Sequence, residues 1–325
     1  MIRENPFDRP VIILAAPRSG STLLFESLSQ SRDLWTIGGE SHGLFESIHR
    51  FNPTMGYCDS NALFADDATP AIIGQIRFWF FQHLKDAQGR SFHHFGGSLN
   101  RRPRLLEKTP KNALRVSLLN AIFPDALFIY LYRNPRENIS SMMDAWQSGR
   151  FVTYRSLPGR DSSWSLLLPP GWQSHNDSSL EEITAFQWKS ANMGILQELN
   201  KLDRSRWMAV SYGQQIRQSV ETIRKICAFC DVSPDGILKS LSNGYTQLSR
   251  YTLTPPAKDK WHKNALALSK VLPNLTETID YIQKNTDGLP NDEFDLSVDP
   301  SLIDQRSRTQ SDTETDAAQD PSSRK

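Results

Sequence analysis

Short, continuous apolar runs alternate with polar stretches of helical period along most of the chain. That is the pattern of a parallel sheet whose strands are buried on both faces. Val11 to Ala16 is the first run, and Leu23, Leu24 and Leu28 follow a turn at helical spacing, so strand, turn and helix are consecutive. A second such unit has Ala126 to Tyr132 as the strand, Asn134 as N-cap and Pro135 as the first helical residue, with Ile139, Met142, Met143 and Trp146 on one apolar face. Leu34 to Ile37, Arg104 to Glu107 and Trp207 to Val210 are shorter strand candidates, each followed by helix-prone sequence. Longer helices are predicted from Thr69 to Asp86 and from Leu180 to Leu202, the second opened by a capping box of Ser179 and Glu182. The alternation predicts a three-layer α/β fold, a central parallel sheet with helices on both faces.

Two stretches break this rhythm. Residues 151–178 are rich in Pro, Gly and Ser yet hold Trp164, Leu166, Leu167, Leu168 and Trp172, and loops carrying that much apolar surface tend to fold over something. From about Pro300 the composition turns to Ser, Thr, Asp and Gln, which predicts a disordered polar tail over 300–325. One domain is therefore expected over 1–299, with irregular insertions at about 41–104 and 151–178.

Composition narrows the function classes. The 325 residues suffice for one large α/β domain, and 37 basic residues against 36 acidic ones give a net charge of +1. No global field draws such a chain to nucleic acid or anionic lipid, so any anion site must be local. The short basic run "NRRPR" reads as a solvated loop. Cys227 and Cys230 share a helical apolar stripe with Val220 and Ile223, which favours core packing over zinc or redox chemistry. The N-terminus lacks an apolar signal segment, and "AIIGQIRFWFFQHL" is interrupted by Arg77 and too short to span a bilayer, so a cytoplasmic location is expected. His93 and His94, in a Gly-flanked polar stretch, read as surface residues rather than metal ligands.

Candidate chemistry begins at the first turn, "AAPRSGSTLL". It ends a strand and opens a helix, so the backbone N–H groups of Ser19 to Thr22 and the positive helix end converge on one point, which binds an anion. Arg18 adds a planar charged fork, and the hydroxyls of Ser19, Ser21 and Thr22 add donors. The lysine that reaches a γ-phosphate in nucleoside-triphosphate loops is missing, because Ser21 stands there, and no acidic strand end offers itself to Mg²⁺. A second anion site is predicted at Arg133, at the carboxyl end of a strand where open α/β sheets bind ligands, with Ser141 on the following helix. The alternative for Arg133 is a pairing with Glu137. Together the two sites point to a ligand with phosphates at both ends.

"PRSGSTLL" and "YRNPRENISSM" resemble the 5′-phosphosulfate loop and the 3′-phosphate site of sulfotransferases that use 3′-phosphoadenosine 5′-phosphosulfate, PAPS. The resemblance implies that Pro17, Arg18, Ser19, Gly20, Ser21 and Thr22 form a P-loop-like phosphosulfate-binding turn and that Arg133 and Ser141 hold the 3′-phosphate. "LEKTPKN" is similar to the family's third signature, which implies that Lys108 contacts the bridging oxygen and the sulfuryl group. "WMAVSYGQQI" resembles the strand whose terminal tyrosine lies near the adenine, here Tyr212, although Gly213-Gln214 replaces the family's acidic pair. "DKWHKN" resembles the late segment that closes over the 3′-phosphate, implicating Lys260 and Lys263, but without its glycine-rich lead.

Sulfuryl transfer spreads charge over oxygens, so such a protein mainly positions groups and stabilises charge, with no metal needed. The acceptor also requires a proton acceptor near the sulfur. Many relatives place a histidine just after the Lys-Thr pair; Pro110 stands there, and Glu40 in "GGESHG" resembles the base of another branch, with His42 in reserve. The bland alternative for Glu40 is a helix-start charge. The expected acceptor is a small molecule, hydrophobic if Trp79, Phe80, Phe81, Trp164 and Trp172 line its pocket rather than the core. A P-loop kinase and a non-catalytic nucleotide-binding module are the competing readings.

Overall fold

In a computed structural model of the protein, the described residues are 4–95, 102–243, 250–253, 257, 259–286 and 294. The first half runs β1 (Val11–Leu14), α1 (Ser21–Leu28), β2 (Leu34–Trp35), α2 (His42–Ser47), α3 (Pro70–His83), α4 (Phe92–Phe95), β3 (Arg104–Lys108), α5 (Val116–Ile122), β4 (Leu127–Tyr132) and α6 (Pro135–Gln147). It continues with β5 (Val152–Tyr154), β6 (Trp164–Ser165), α7 (Leu180–Leu199), β7 (Trp207–Ser211), α8 (Tyr212–Arg217), α9 (Ser219–Cys230), α10 (Asp235–Ser242), α11 (Ala265–Val271) and α12 (Thr276–Asn285). Five parallel strands form one sheet in the order β2-β3-β1-β4-β7, with Ile13 opposite Lys108 and Leu14 opposite Tyr130.

Strand alternation sorts the side chains into two cores. Ile12, Leu14, Phe128, Tyr130 and Tyr132 face one layer with α5, α7, α11 and α12, while Val11, Ile13, Ile129 and Leu131 face the other with α1, α9 and α10. The expected strands and helices are present; β1, β2, β4, α3 and α7 have trimmed ends, while β3 and β7 run one residue further than expected, to Lys108 and Ser211. β1 stops at Leu14 because Ala16 already turns, its carbonyl accepting from Ser19 N–H at 3.3 Å. β2 stops at Trp35, since Thr36 pairs instead with Lys85. Cys227 and Cys230 are buried in the second core as expected, and burial pushes their thiols up to about 11 and 12; Val220, assigned to the same stripe, is exposed.

The two insertions clasp each other. β5 and β6 pair antiparallel, and Tyr154, Leu157, Trp164, Leu168, Trp172 and Ile183 close a small separate core. Asn61 from the first insertion donates its N–H to Leu168 O at 2.7 Å, and Trp172 Nε1 donates to Asp59 O at 2.6 Å. Trp164 and Trp172 are therefore packing residues, and Phe80 is fully buried in the main core against Phe123. The stretch from residue 300 onward lies outside the described residues.

Candidate functional site

The order of the sheet puts the chain's change of direction at β1, with β3 on one side and β4 on the other, so the crevice lies beyond their carboxyl ends. The turn after β1 holds two left-handed residues, Arg18 at φ 66° and Gly20 at φ 91°. Gly20 is needed there twice over: a Cβ would be strained at that φ and would lie 2.4 Å from two ring carbons of Tyr212. For Arg18 the left-handed backbone is a real strain, offset where Arg133 Nη1 donates to the Arg18 carbonyl at 3.1 Å. The turn is also tied to α6, since Asn138 Nδ2 donates to Pro17 O and Ser19 Oγ donates to Asn138 Oδ1, both at 2.7 Å. Ser21 then starts α1, whose first-turn N–H groups have no carbonyl a turn behind them.

Arg133 leaves β4 and lies over the Tyr212 ring at 4.5 Å, while its Nε and Nη2 donate to Glu137 Oε2 at 3.0 and 2.9 Å. The pairing with Glu137 thus exists alongside the approach to the turn. Asn134 caps α6 by accepting from Arg136 N–H at 2.9 Å, which fixes where Ser140 and Ser141 emerge, both nearly two turns later. The segment 260–264 packs on that face, with Asn264 Nδ2 donating to Ser140 Oγ at 2.9 Å.

Lys108 ends β3 directly across from Ile13. Its Nζ donates to Thr22 Oγ1 at 3.0 Å and to Glu40 Oε1, and its side chain is 2% exposed. The other carboxylate oxygen of Glu40 is 2.6 Å from His42 Nε2. Burial pushes the Glu40 carboxyl up, but the His42 hydrogen bond and the charge of Lys108 outweigh it and hold the group down at about 2.

One cleft of about 400 Å³ joins these parts. Pro17, Arg18, Gly20, Ser21, Thr22, Arg133, Ser141, Tyr212 and Lys260 line one end, and Glu40 and His42 line the other, with Lys108 beneath Thr22 and Glu40. Ser19 and Lys263 are not brought to it. Ser19 is turned inward to Asn138, and Lys263 pairs with Asp144 at 2.7 Å. None of Trp79, Phe80, Phe81, Trp164 or Trp172 reaches it either, since their apolar area is spent on the cores; the aromatic residues that do are Phe151, Tyr212, Tyr251 and Trp261.

The sequence model of the sulfotransferase family matches residues 10–235, well over half of the 325-residue chain. The chain belongs to the sulfotransferase family. No curated protein matches it significantly. Among solved structures it is similar to the sulfotransferase STF9 from Mycobacterium avium, at 16% identity over 87% of this chain and 79% of that one with a TM-score of 0.48. It is also similar to a sulfotransferase from Alicyclobacillus acidocaldarius, at 15% identity over 85% and 96% with a TM-score of 0.46. A third similarity is to the sulfotransferase domain of the curacin biosynthetic pathway, at 17% identity over 81% and 98% with a TM-score of 0.41.

Several residues of this sulfotransferase-family cleft escaped the sequence reading. Glu46 and Lys111 line its second end and pair with each other, and Tyr154 donates to Glu46 Oε1 at 2.8 Å. The spacing of His42 and Glu46, four apart at the start of a helix, was the available signal. Glu107, fully buried, accepts from Ser41, Thr109 and Asn112 at 2.6, 2.7 and 3.1 Å and so fixes the loops that carry Glu40 and Lys111; burial pushes its carboxyl up. Among the described residues, no group of His, Cys, Asp and Glu could hold a metal ion, and no helix is long and apolar enough to cross a membrane.

Proposed function

We propose that the protein transfers a sulfuryl group from PAPS to a hydroxyl or amine of a small-molecule acceptor. The observation that carries this reading is the single cleft that unites the turn at 17–22 with Arg133 and Ser141 while Lys108 bridges Thr22 to Glu40. The donor set fits a bisphosphorylated nucleotide. The buried Nε of Arg18 has no partner among the described residues, the first-turn amides of α1 open onto the cleft, and Gly20 leaves no Cβ between them and Tyr212. At the far side Arg133, Ser141 and Lys260 supply two charges and a hydroxyl.

When bound, PAPS supplies the activated sulfuryl group and leaves as adenosine 3′,5′-bisphosphate. Arg18 and the turn amides hold the 5′ end, and Arg133 with Ser141 holds the 3′ end. Two of the three N–H donors of Lys108 go to Thr22 and Glu40; the third remains for charge that grows on the leaving oxygen. Glu40, ionised at neutral pH, takes the acceptor's proton on an oxygen, and His42 steadies the carboxylate by its bond to the other. Once Glu40 is protonated, the ammonium of Lys108 is left as the countercharge for the leaving phosphate.

Calorimetric titration with adenosine 3′,5′-bisphosphate and with ATP plus Mg²⁺, followed by transfer assays on alcohols, phenols and amines, tests the reading. Tighter binding of the bisphosphate and sulfated product are expected. A preference for ATP would overturn it in favour of a kinase, and bisphosphate binding with no turnover on any acceptor would reduce it to a nucleotide-binding module.

A further inference from the structure

The same two segments that form the Lys108–Glu40 pair form a second one. Glu46 lies one helical turn beyond His42 on α2, and Lys111 lies three residues beyond Lys108, and the two make an ion pair at the end of the cleft away from Arg133. Lys111 is spent there: its side chain is 3% exposed, and its Nζ donates to Glu46 Oε1 and, at 3.0 Å, to Tyr154 Oη. Tyr154 Oη in turn donates to the same Glu46 oxygen at 2.8 Å and accepts from Asn61 Nδ2 at 2.6 Å. Glu46 is different. Its Oε1 is doubly bonded, but no described residue reaches its Oε2, and its side chain stays 23% exposed on the cleft wall. Burial pushes this carboxyl up, yet Lys111 and Tyr154 outweigh it and leave it below the ordinary range, so it is ionised at neutral pH.

Part of the cleft wall is apolar. Phe151, Val152, Leu166 and Leu167 line it, and Leu166 is held at φ 62°, a strained position for a leucine, by Thr153 Oγ1 donating to its carbonyl at 2.7 Å.

We infer that Glu46 Oε2 is the recognition point for a second hydrogen-bond donor on the acceptor, a hydroxyl or ammonium set a few bonds along the chain from the group that is sulfated. The acceptor is then amphipathic: one polar edge meets Glu40 and Glu46, and an apolar face meets Phe151, Val152, Leu166 and Leu167. An acceptor with a carboxylate or phosphate at the second position is disfavoured, because it meets a carboxylate whose countercharge is already engaged. This inference rests on the sulfuryl-transfer reading of the cleft.

The test is calorimetric binding to the full chain saturated with adenosine 3′,5′-bisphosphate, using 1-octanol, 1,4-octanediol, 4-amino-1-octanol and 4-hydroxyoctanoate. The diol and the amino alcohol should bind about tenfold tighter than 1-octanol, as befits a hydrogen bond to a charged group, and the carboxylate weaker than either. In the double variant E46L/K111M, which replaces a buried pair by apolar groups of similar size, the ratio of diol to octanol affinity should fall to about one. In Glu46→Gln, which keeps the shape but not the charge, the amino alcohol should lose its advantage over 1-octanol while the diol, which can still donate to the amide oxygen, keeps part of its own. Equal binding of octanol and diol by the unaltered protein, or tightest binding of the carboxylate, overturns the inference while leaving sulfuryl transfer standing. Failure of the bisphosphate to bind at all would sink both.

Discussion

The two ends of the cleft are built by different means. At the nucleotide end, the residues other than Tyr212 and Lys260 come from two short contiguous stretches, 17–22 and 133–141, each the loop and helix start after a central strand, and many of the groups that face the ligand are backbone amides or arginines braced by the backbone. At the acceptor end, they come from 40–46, 110–111, 151–153 and 166–167, and side-chain bonds such as Glu46–Lys111, Tyr154–Glu46 and Thr153–Leu166 hold them in place. A frame made of sheet geometry recognises a ligand that does not change. One made of side chains on irregular loops can be altered without disturbing the sheet.

Lys108 stands where the ends meet, so its loss should be the largest single effect. Lys108→Ala is expected to lower kcat by about 10²-fold or more while weakening bisphosphate binding far less, which steady-state kinetics and calorimetry would separate. Equal losses in both would make Lys108 part of the nucleotide grip and blur the comparison. Arg133→Ala should do the opposite. Bisphosphate affinity falls about 10-fold to 100-fold with the loss of a charge-assisted contact, and kcat at saturation changes little. An unaltered affinity would show that the bond to Glu137 uses up the guanidinium.

The division also explains what could be read beforehand. Strand, turn and helix around Arg18 and Arg133 are set by local apolar period, glycine and an N-cap, all visible over fewer than about 15 residues. Glu40 beside Lys108 needed the pairing of β3 with its neighbours, and Glu46 beside Lys111 needed the 3D return of two loops, for which no local pattern exists. The aromatic residues stayed ambiguous for the same reason: Phe80, Trp164 and Trp172 look alike in sequence whether they face a ligand or a core, and the two tryptophans close the small core beside the clasp between Asn61 and Leu168. Ser19 shows the limit even within a legible turn, since its hydroxyl found Asn138 more than a hundred residues away.

Gly20→Ala probes how far the backbone frame can give. The new Cβ would meet the Tyr212 ring at 2.4 Å and sit at φ 91°, so bisphosphate affinity should drop about tenfold, with about 1 kcal/mol or more of stability lost. Adding Tyr212→Ala removes the collision but not the backbone strain. Measured against Tyr212→Ala alone, the double variant should therefore lose less stability than Gly20→Ala loses from the unaltered protein, and no loss at all would mean the left-handed turn carries no strain of its own.

The smallest expected effect is one of pH, and it separates the ends once more. Glu40 is held at about 2, below its ordinary value of 4.5. A depressed carboxyl contributes stability that is complete above the ordinary value and is lost as pH falls through the folded one, so between pH 8 and 5 Glu40 is ionised in folded and unfolded chains alike and contributes no slope. Its protonation should then leave kcat/KM flat over that window. An acid limb inside the window that disappears in His42→Gln would move the base from Glu40 to His42. On the alkaline side, burial brings Lys111 down to about 8 against the opposing pull of Glu46, so its charge is lost as pH rises past that point. With it goes the clamp on Glu46, so acceptor KM should rise above pH 8 while bisphosphate affinity holds steady. Parallel changes in both would tie the two ends together and show that the side-chain frame is not independent of the sheet.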